Sequence, residues 1–273
     1  MSSDAPAPRK NATDPVTISA AKLPSGDWDL QVKVTVSEAP TNLLALLPMI
    51  HSLTDSIVDG GAQAAEAQGQ KISCCQGCGA CCRQFVPITE VEALYIGKLV
   101  DNLPEPRRTA VRARFADASH RLDQAGLLDP LRRRAEWVDA QSAVSFGAEY
   151  FRLGIACPFL EDESCSIHSN RPIVCREYLV VSPAEHCACP TPDTIDRVEM
   201  PVKVSVAVAR CTAPEPHGRF LNWVPLVLAP EWAEEHPEEP PSQPGPAILN
   251  EFFAHLIGQN NQAARTAPDA GPF

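Results

Sequence analysis

Four cysteines in the run Cys75-x2-Cys78-x2-Cys81-Cys82 stand at a spacing that lets one tight loop wrap several thiolates around a single centre. Gly77 and Gly79 inside the run permit the positive-φ turns and the close backbone approach that such wrapping needs. The side chains of the adjacent Cys81 and Cys82 diverge, so one of them either serves a second centre or packs as a small buried residue. A second block follows: Cys157-Pro158-Phe159-Leu160, then Cys165, then Arg171-Pro172-x2-Cys175-Arg176. Its three thiols would complete the coordination begun by the first block. Soft thiolates select zinc, copper(I) or iron–sulfur over magnesium and calcium. The two-residue spacing tips the balance from zinc towards an iron–sulfur cluster.

The neighbouring residues read in relation to those thiols. A multi-thiolate site carries excess negative charge, which Arg171 and Arg176 are placed in sequence to offset as outer donors; the bland alternative is an ordinary surface ion pair. His168 lies between two ligands but is expected not to ligate. Cys187, in the pair Cys187-x-Cys189, is the best placed to add an eighth ligand. Buried structural cysteine is the bland reading for Cys187 and Cys189 as well as for Cys74 and Cys211, the last two being the expected spectators.

These motifs resemble the YkgJ-like cysteine-cluster family, a zinc- or iron-chelating domain. The resemblance rests on Cys75-x2-Cys78-x2-Cys81-Cys82, the Cys157-Pro158-Phe159-Leu160 element and the Cys165-x-Ile167-His168-x2-Arg171-Pro172-x2-Cys175-Arg176 element, over about residues 75–180. It implies chelation by those seven cysteines and leaves the metal as zinc or iron. His168 stands where many members carry tyrosine. A cysteine-rich motif of similar type occurs in the flagellin lysine-methylase group, with no other match to that group here.

The elements that must position the thiols follow from periodicity. Residues 1–25 read as a disordered tail, and Leu30, Val32, Val34 and Val36 alternate as one face of a strand over 28–37. Leu43, Leu46, Leu47, Ile50, Leu53 and Ile57 recur at helical spacing, with Pro48 as a kink or first turn and Gly60-Gly61 as an interruption. Thr89 and Glu92 form a capping box opening a helix with Val91, Leu94, Tyr95 and Leu99 on one side. Pro106 opens a second, with Val111, Phe115, Ala118 and Leu122 in register and Gly126 at its end. Asp129-Pro130 starts a third, carrying Leu131, Ala135 and Val138. Residues 145–195 are loop-rich, 201–210 alternate as a strand would while leaving a helix open, and a late helix carries Leu249, Phe252, Phe253 and Leu256 up to Gly258. The fold class is therefore α+β, mostly α-helical, with a cysteine-rich metal-binding core, loop-rich ligand segments and a minor β contribution. A single metal-binding domain is expected over 26–258, between the N-terminal tail and a C-terminal tail over 259–273.

Totals bound the function. The 273 residues are 44% hydrophobic, enough to bury a core, and the 27 prolines crowd the ends and 214–246. A net charge of −11 disfavours nucleic acid as a partner. Arg107, Arg108, Arg112, Arg114, Arg121, Arg132, Arg133 and Arg134 make one local basic patch, interleaved with acids, whose bland reading is a solvated helix face. No apolar run reaches the roughly 18 residues of a membrane span, and Met1–Lys10 lack a signal-peptide core, so no membrane partner and a cytoplasmic location are expected. There, eleven thiols stay reduced, and their odd number fits a disulfide framework poorly. The leading expectation is a protein holding zinc or an iron–sulfur cluster for metal handling, redox or structural purposes, with metal binding coupled to folding. The alternatives are a cluster-dependent oxidoreductase or group-transfer enzyme, for which no nucleotide fingerprint or catalytic triad appears, and a thiol–disulfide oxidoreductase, for which no βαβ pattern surrounds the C-x2-C pairs.

Overall fold

The computed structural model describes residues 15–25, 28–133, 140–191, 193–212 and 223–262. Strand β1 (Pro15–Ser25) pairs antiparallel with β2 (Trp28–Ser37), so that Ile18 faces Val34 and Val16 faces Val36. The strand expected over 28–37 is present, and residues 15–25, which composition assigns to a tail, are its partner. A lone two-stranded ribbon is marginal in water. Val36 supplies the anchorage by burying its side chain in the main core.

After the short β3 (Pro40–Thr41), Asn42 caps α1 (Leu43–Ala67), its side chain accepting from the Ala45 amide at 2.9 Å. Pro48 lies inside the helix, past its first turn, and Gly60-Gly61 does not interrupt it. Helix continuity is enforced by packing: a Cβ on Gly61 would stand 3.0 Å from the Met200 sulfur, so the glycine marks close approach and not a break. Strand β4 (Pro87–Thr89) leads into α2 (Glu90–Asp101), with the Thr89–Glu92 capping box formed. Helix α3 (Arg107–Gln124) follows, and Gly126 at φ +70° terminates it in the left-handed conformation. Helix α4 (Leu128–Arg132) carries Leu131, while Ala135 and Val138 of the expected third helix lie outside the described residues.

The loop-rich stretch expected over 145–195 begins later, because α5 (Ala140–Arg152) keeps 145–152 helical; beyond it the chain is loop-rich. It forms the hairpin β5 (Leu160–Glu161) and β6 (Ser164–Cys165), the single-turn helix α6 (Ile173–Glu177) and a 3-10 turn at Ala184–Ala188. Residues 201–210 are not a strand: α7 (Val204–Thr212) is helical, with Val204, Ala207 and Val208 buried on one side. A tertiary contact decides it. The Glu177 carboxylate accepts from the Val204 and Ser205 amides and the Ser205 hydroxyl, capping the helix from 27 residues away. Strand β7 (Trp223–Pro225) pairs with β4, and α8 (Ala229–Glu235) packs on α2. Strand β8 (Gln243–Pro244) pairs with β3, and α9 (Gly245–Gln262) runs past Gly258, four residues into the stretch read as a tail.

The protein is thus α+β and mostly helical, with small two-stranded antiparallel pairs among the described residues. Its largest core lies between α1, α7 and α9 and includes Leu47, Ile50, Val208, Leu249 and Phe252. Each such side chain contributes about 1.5–3 kcal/mol on full burial. A second core joins α2, α3, β4 and β7 to Phe159, Ile167 and Val174 of the cysteine-bearing segment. No helix among the described residues is long and apolar enough to cross a membrane.

Candidate metal centre

The first cysteine block wraps as its spacing implies. The Cys78 amide donates to the Cys75 carbonyl at 3.2 Å and the Cys82 amide to the Gly79 carbonyl at 3.0 Å, with a 3-10 turn at Ala80–Arg83. Gly77 takes φ +84°, the left-handed conformation that glycine enters without cost. Gly79 is needed for space instead, since a Cβ there would stand 2.7 Å from Leu160 and Glu163 side-chain atoms and 3.1 Å from the Glu163 carbonyl. Its bare backbone lets the first block lie directly on the β5–β6 hairpin of the second. The contact is reinforced by the Cys157 amide donating to the Cys82 carbonyl at 2.7 Å, and by Arg83 pairing with Glu163 at 2.6 Å. That hairpin turns through Asp162 and Glu163, both at positive φ.

Helices α2 and α3 hold the second block in place. Arg114 donates to the Pro158 carbonyl at 2.7 Å and to Glu161 at 2.8 Å, and Arg107 donates to the Ser166 carbonyl at 2.8 Å. Each of these carbonyls adjoins a cysteine. Arg108, Arg112, Arg121 and Arg132 of the same basic patch also engage carboxylates or carbonyls. Buried Glu92, beyond its capping duty on α2, accepts from the Ile173 amide at 2.7 Å and so caps α6, which carries Cys175.

Arg176 is 1% exposed. It donates to the Arg171 carbonyl at 2.9 Å, to the Ser169 carbonyl and to Asp55 of α1 at 2.6 Å. It therefore shapes the turn before α6 and is no surface ion pair. The Arg171 charge favours the thiolate forms of Cys81 and Cys165, and burial pulls its own pKa down. His168 packs its ring against the Arg171 guanidinium, at 2.6 and 2.9 Å from its two nitrogens, and faces arginines.

All eleven cysteines are free. Cys81 is the hub. The neighbouring Cys82 thiol and burial drive its pKa far up. Cys157, Cys165 and Cys175 all feel Cys81, and they feel one another. Burial pushes Cys157 up to about 12 and Cys175 well above the ordinary thiol range. On the other side, Cys187 is pushed to about 11 by burial and faces Cys81, Cys74 and Cys78. Cys74, expected to be a spectator, belongs to this side: the Val180 amide donates to its sulfur at 3.4 Å, and it packs with Cys81 and Cys187. Cys75 neighbours Cys74. Cys211 lies on α7 against the main core, its pKa raised to about 12 by burial and Glu251 with no cysteine contributing. Cys189 is exposed.

Sequence reasoning had no signal that would pack Cys74 with Tyr178, Val180 and Cys187. It also missed Asp55, which no local pattern connects to a site more than a hundred residues away. In kind the donors suit a thiophilic ion: they are sulfurs, and Cys157, Cys165 and Cys175 pack against apolar side chains. Among the described residues no three histidine, cysteine, aspartate or glutamate side chains are drawn together tightly enough to hold an ion outright. The thiols form a neighbourhood, not a closed cage.

A helical scaffold presenting clustered, protonated thiols from loops is the build of a thiolate metal-chelating domain. Residues 74–192, less than half of the chain, match the family model described as "CxxCxxCC: Putative zinc- or iron-chelating domain". No curated protein and no solved structure matches the chain.

Proposed function

We propose that this protein chelates zinc or an iron–sulfur cluster through the thiolates of Cys75, Cys78, Cys81, Cys82, Cys157, Cys165, Cys175 and Cys187, with Arg171 and Arg176 compensating the charge, in a metal-handling, redox or structural role. What supports this reading is that three separated cysteine-bearing segments are tied together, the Cys157 amide to the Cys82 carbonyl and the Gln84 side chain to the Cys187 carbonyl, on a framework whose arginines and Glu92 are committed to holding those segments. Every thiol whose titration is displaced is displaced upward. That is the reverse of what a thiol–disulfide exchange nucleophile needs, and it suits thiols that ionise only when an ion takes the place of the proton. The reading also supposes a reducing compartment such as the cytoplasm.

Metal analysis with a visible spectrum, on protein purified without oxygen, tests it. Iron with labile sulfide and broad visible absorption would assign the cluster, and stoichiometric zinc in a colourless sample would assign the ion. Protein without metal, its thiols fully reactive and unable to take up either metal, would refute chelation.

A further inference from the structure

The two cysteine blocks meet along a seam, and the ties across it differ in kind. On one side is the turn over residues 75–83; on the other is the β5–β6 hairpin, in which Leu160 pairs with Cys165 and Glu161 with Ser164. The base of the hairpin is fixed. Arg114 of α3 donates to the Pro158 carbonyl and to Glu161, Arg107 donates to the Ser166 carbonyl, and the Cys157 amide reaches the Cys82 carbonyl. Its tip is held otherwise. Asp162 and Glu163 turn the chain, and Glu163 meets Arg83 in a two-pronged pair, with Nη1 donating to Oε2 at 3.0 Å and Nη2 to Oε1 at 2.6 Å. The same Nη1 donates to the Gly79 carbonyl at 3.0 Å, so one guanidinium grips both the turn and the hairpin. Gly79 has no Cβ to hold them apart, and the Leu160 side chain closes directly on it. The Glu163 side chain is 55% exposed and that of Arg83 34%, so water and salt reach this pair. Cys82 adjoins Arg83, and Cys165 lies just past Glu163; both are half-buried.

We propose that Arg83 and Glu163 form a releasable clasp: closed, it holds the hairpin tip down on the first cysteine block, and its opening sets how fast a thiophilic ion or a thiol reagent reaches Cys82 and Cys165. For the ion this rests on the chelation reading and adds a route of entry and exit to it; for the thiols it stands by itself. Arg83 and Glu163 are positioning residues and take no bond to the ion. Opening parts one ion pair, each partner staying charged in water, and leaves the base of the hairpin fastened to α3, so the tip lifts without the fold coming apart.

Two rates measured on the full chain test this, in the wild type, Arg83→Gln, Glu163→Gln and the double variant. The first is alkylation of metal-free, reduced protein by iodoacetamide, followed cysteine by cysteine with mass spectrometry. It should quicken about two- to fivefold at Cys82 and Cys165 in either single variant, the scale an exposed ion pair can supply. The double variant should be no faster than the singles, because all three remove the same interaction. Cys211, on α7 against the main core, should keep its wild-type rate, which separates an opened clasp from a general loosening. The second rate is zinc release to a chromophoric chelator. It should rise with salt in the wild type, and be faster at low salt and less salt-sensitive in the variants. Unchanged labelling at Cys82 and Cys165, single effects that simply add in the double variant, or Cys211 quickening in step with them overturns the clasp. Zinc release unchanged in the variants overturns its control of ion exchange and leaves chelation intact. A wild type that takes up no zinc overturns zinc chelation, and the labelling still decides the clasp.

Discussion

Glu92 closes two elements at once, accepting from the Thr89 amide and hydroxyl on α2 and from the Ile173 amide on α6. Half of this was legible, because a capping box is written in residues three apart; its reach to α6 was not, since nothing local points to position 173. Glu92→Ala leaves three buried donors without their acceptor and should cost about 2–4 kcal/mol by denaturant unfolding. It should also loosen Cys175 and lower metal affinity. His51 is 4% exposed, its Nε2 meets no partner, and burial with the charges of Arg176 and Arg171 against that of Asp55 holds its pKa near 4. A depressed histidine pKa means that the unfolded chain binds the proton more readily. The stability it supports is complete above about pH 6.5 and falls away towards pH 4, by up to about 3 kcal/mol. His51→Gln should flatten that acid limb of the stability profile. The buried thiols act with the opposite sign: the raised pKa of Cys157 makes the metal-free fold lose stability as pH climbs from about 8.5 towards 12. Metal affinity should rise with pH as fewer protons need displacing, which a competition titration at several pH values reads directly.

At the scale of elements, the sequence was readable wherever a helix or strand is decided by its own periodicity or caps, as in β2, α2 and α3. It misled where a neighbour decides. Val202, Val204, Val206 and Val208 alternate as a strand would, yet α7 is helical because Glu177 caps it and the main core takes Val204, Ala207 and Val208. Gly60-Gly61 looks like a break, yet Met200 needs the space that Gly61 leaves. A similar glycine sits between α2 and α8: a Cβ on Gly97 would stand 2.6 Å from the Ala233 Cβ. Gly97→Ala therefore has to part the two helices, whatever it gains in helix propensity. The expected cost is about 1–3 kcal/mol in denaturant midpoint analysis, and unchanged stability would show that α8 can slide. The cysteine motifs were legible because spacing alone carries them. Which thiols share a side was not, since that depends on how the hairpin and the turn of Cys187 are docked.

For the whole molecule, the two cores differ in what they ask of the metal. The sequence leads one to expect metal binding coupled to folding, as in small zinc domains. The largest core draws its buried side chains from α1, α2, α7 and α9, with single contributions from β2, α6 and Val202 just before α7, and none of the eight proposed ligands packs in it. Cys157, Cys165 and Cys175 sit against the second core, and Cys81 and Cys187 in a small separate cluster. Order should therefore be divisible. On removal of the metal, amide hydrogens of 74–82 and 157–189 should exchange faster by mass spectrometry, while those in the buried part of α1 and in α9 up to Gly258 keep their protection. Equal loss of protection in α1 would show instead that the scaffold leans on the metal. Where the division holds, Asp55 becomes a tether: a rigid helix keeps hold of Arg176 and the turn before Cys175. The emptied site then stays fastened at one end, ready to rewind around the next ion without searching the whole chain for its ligands.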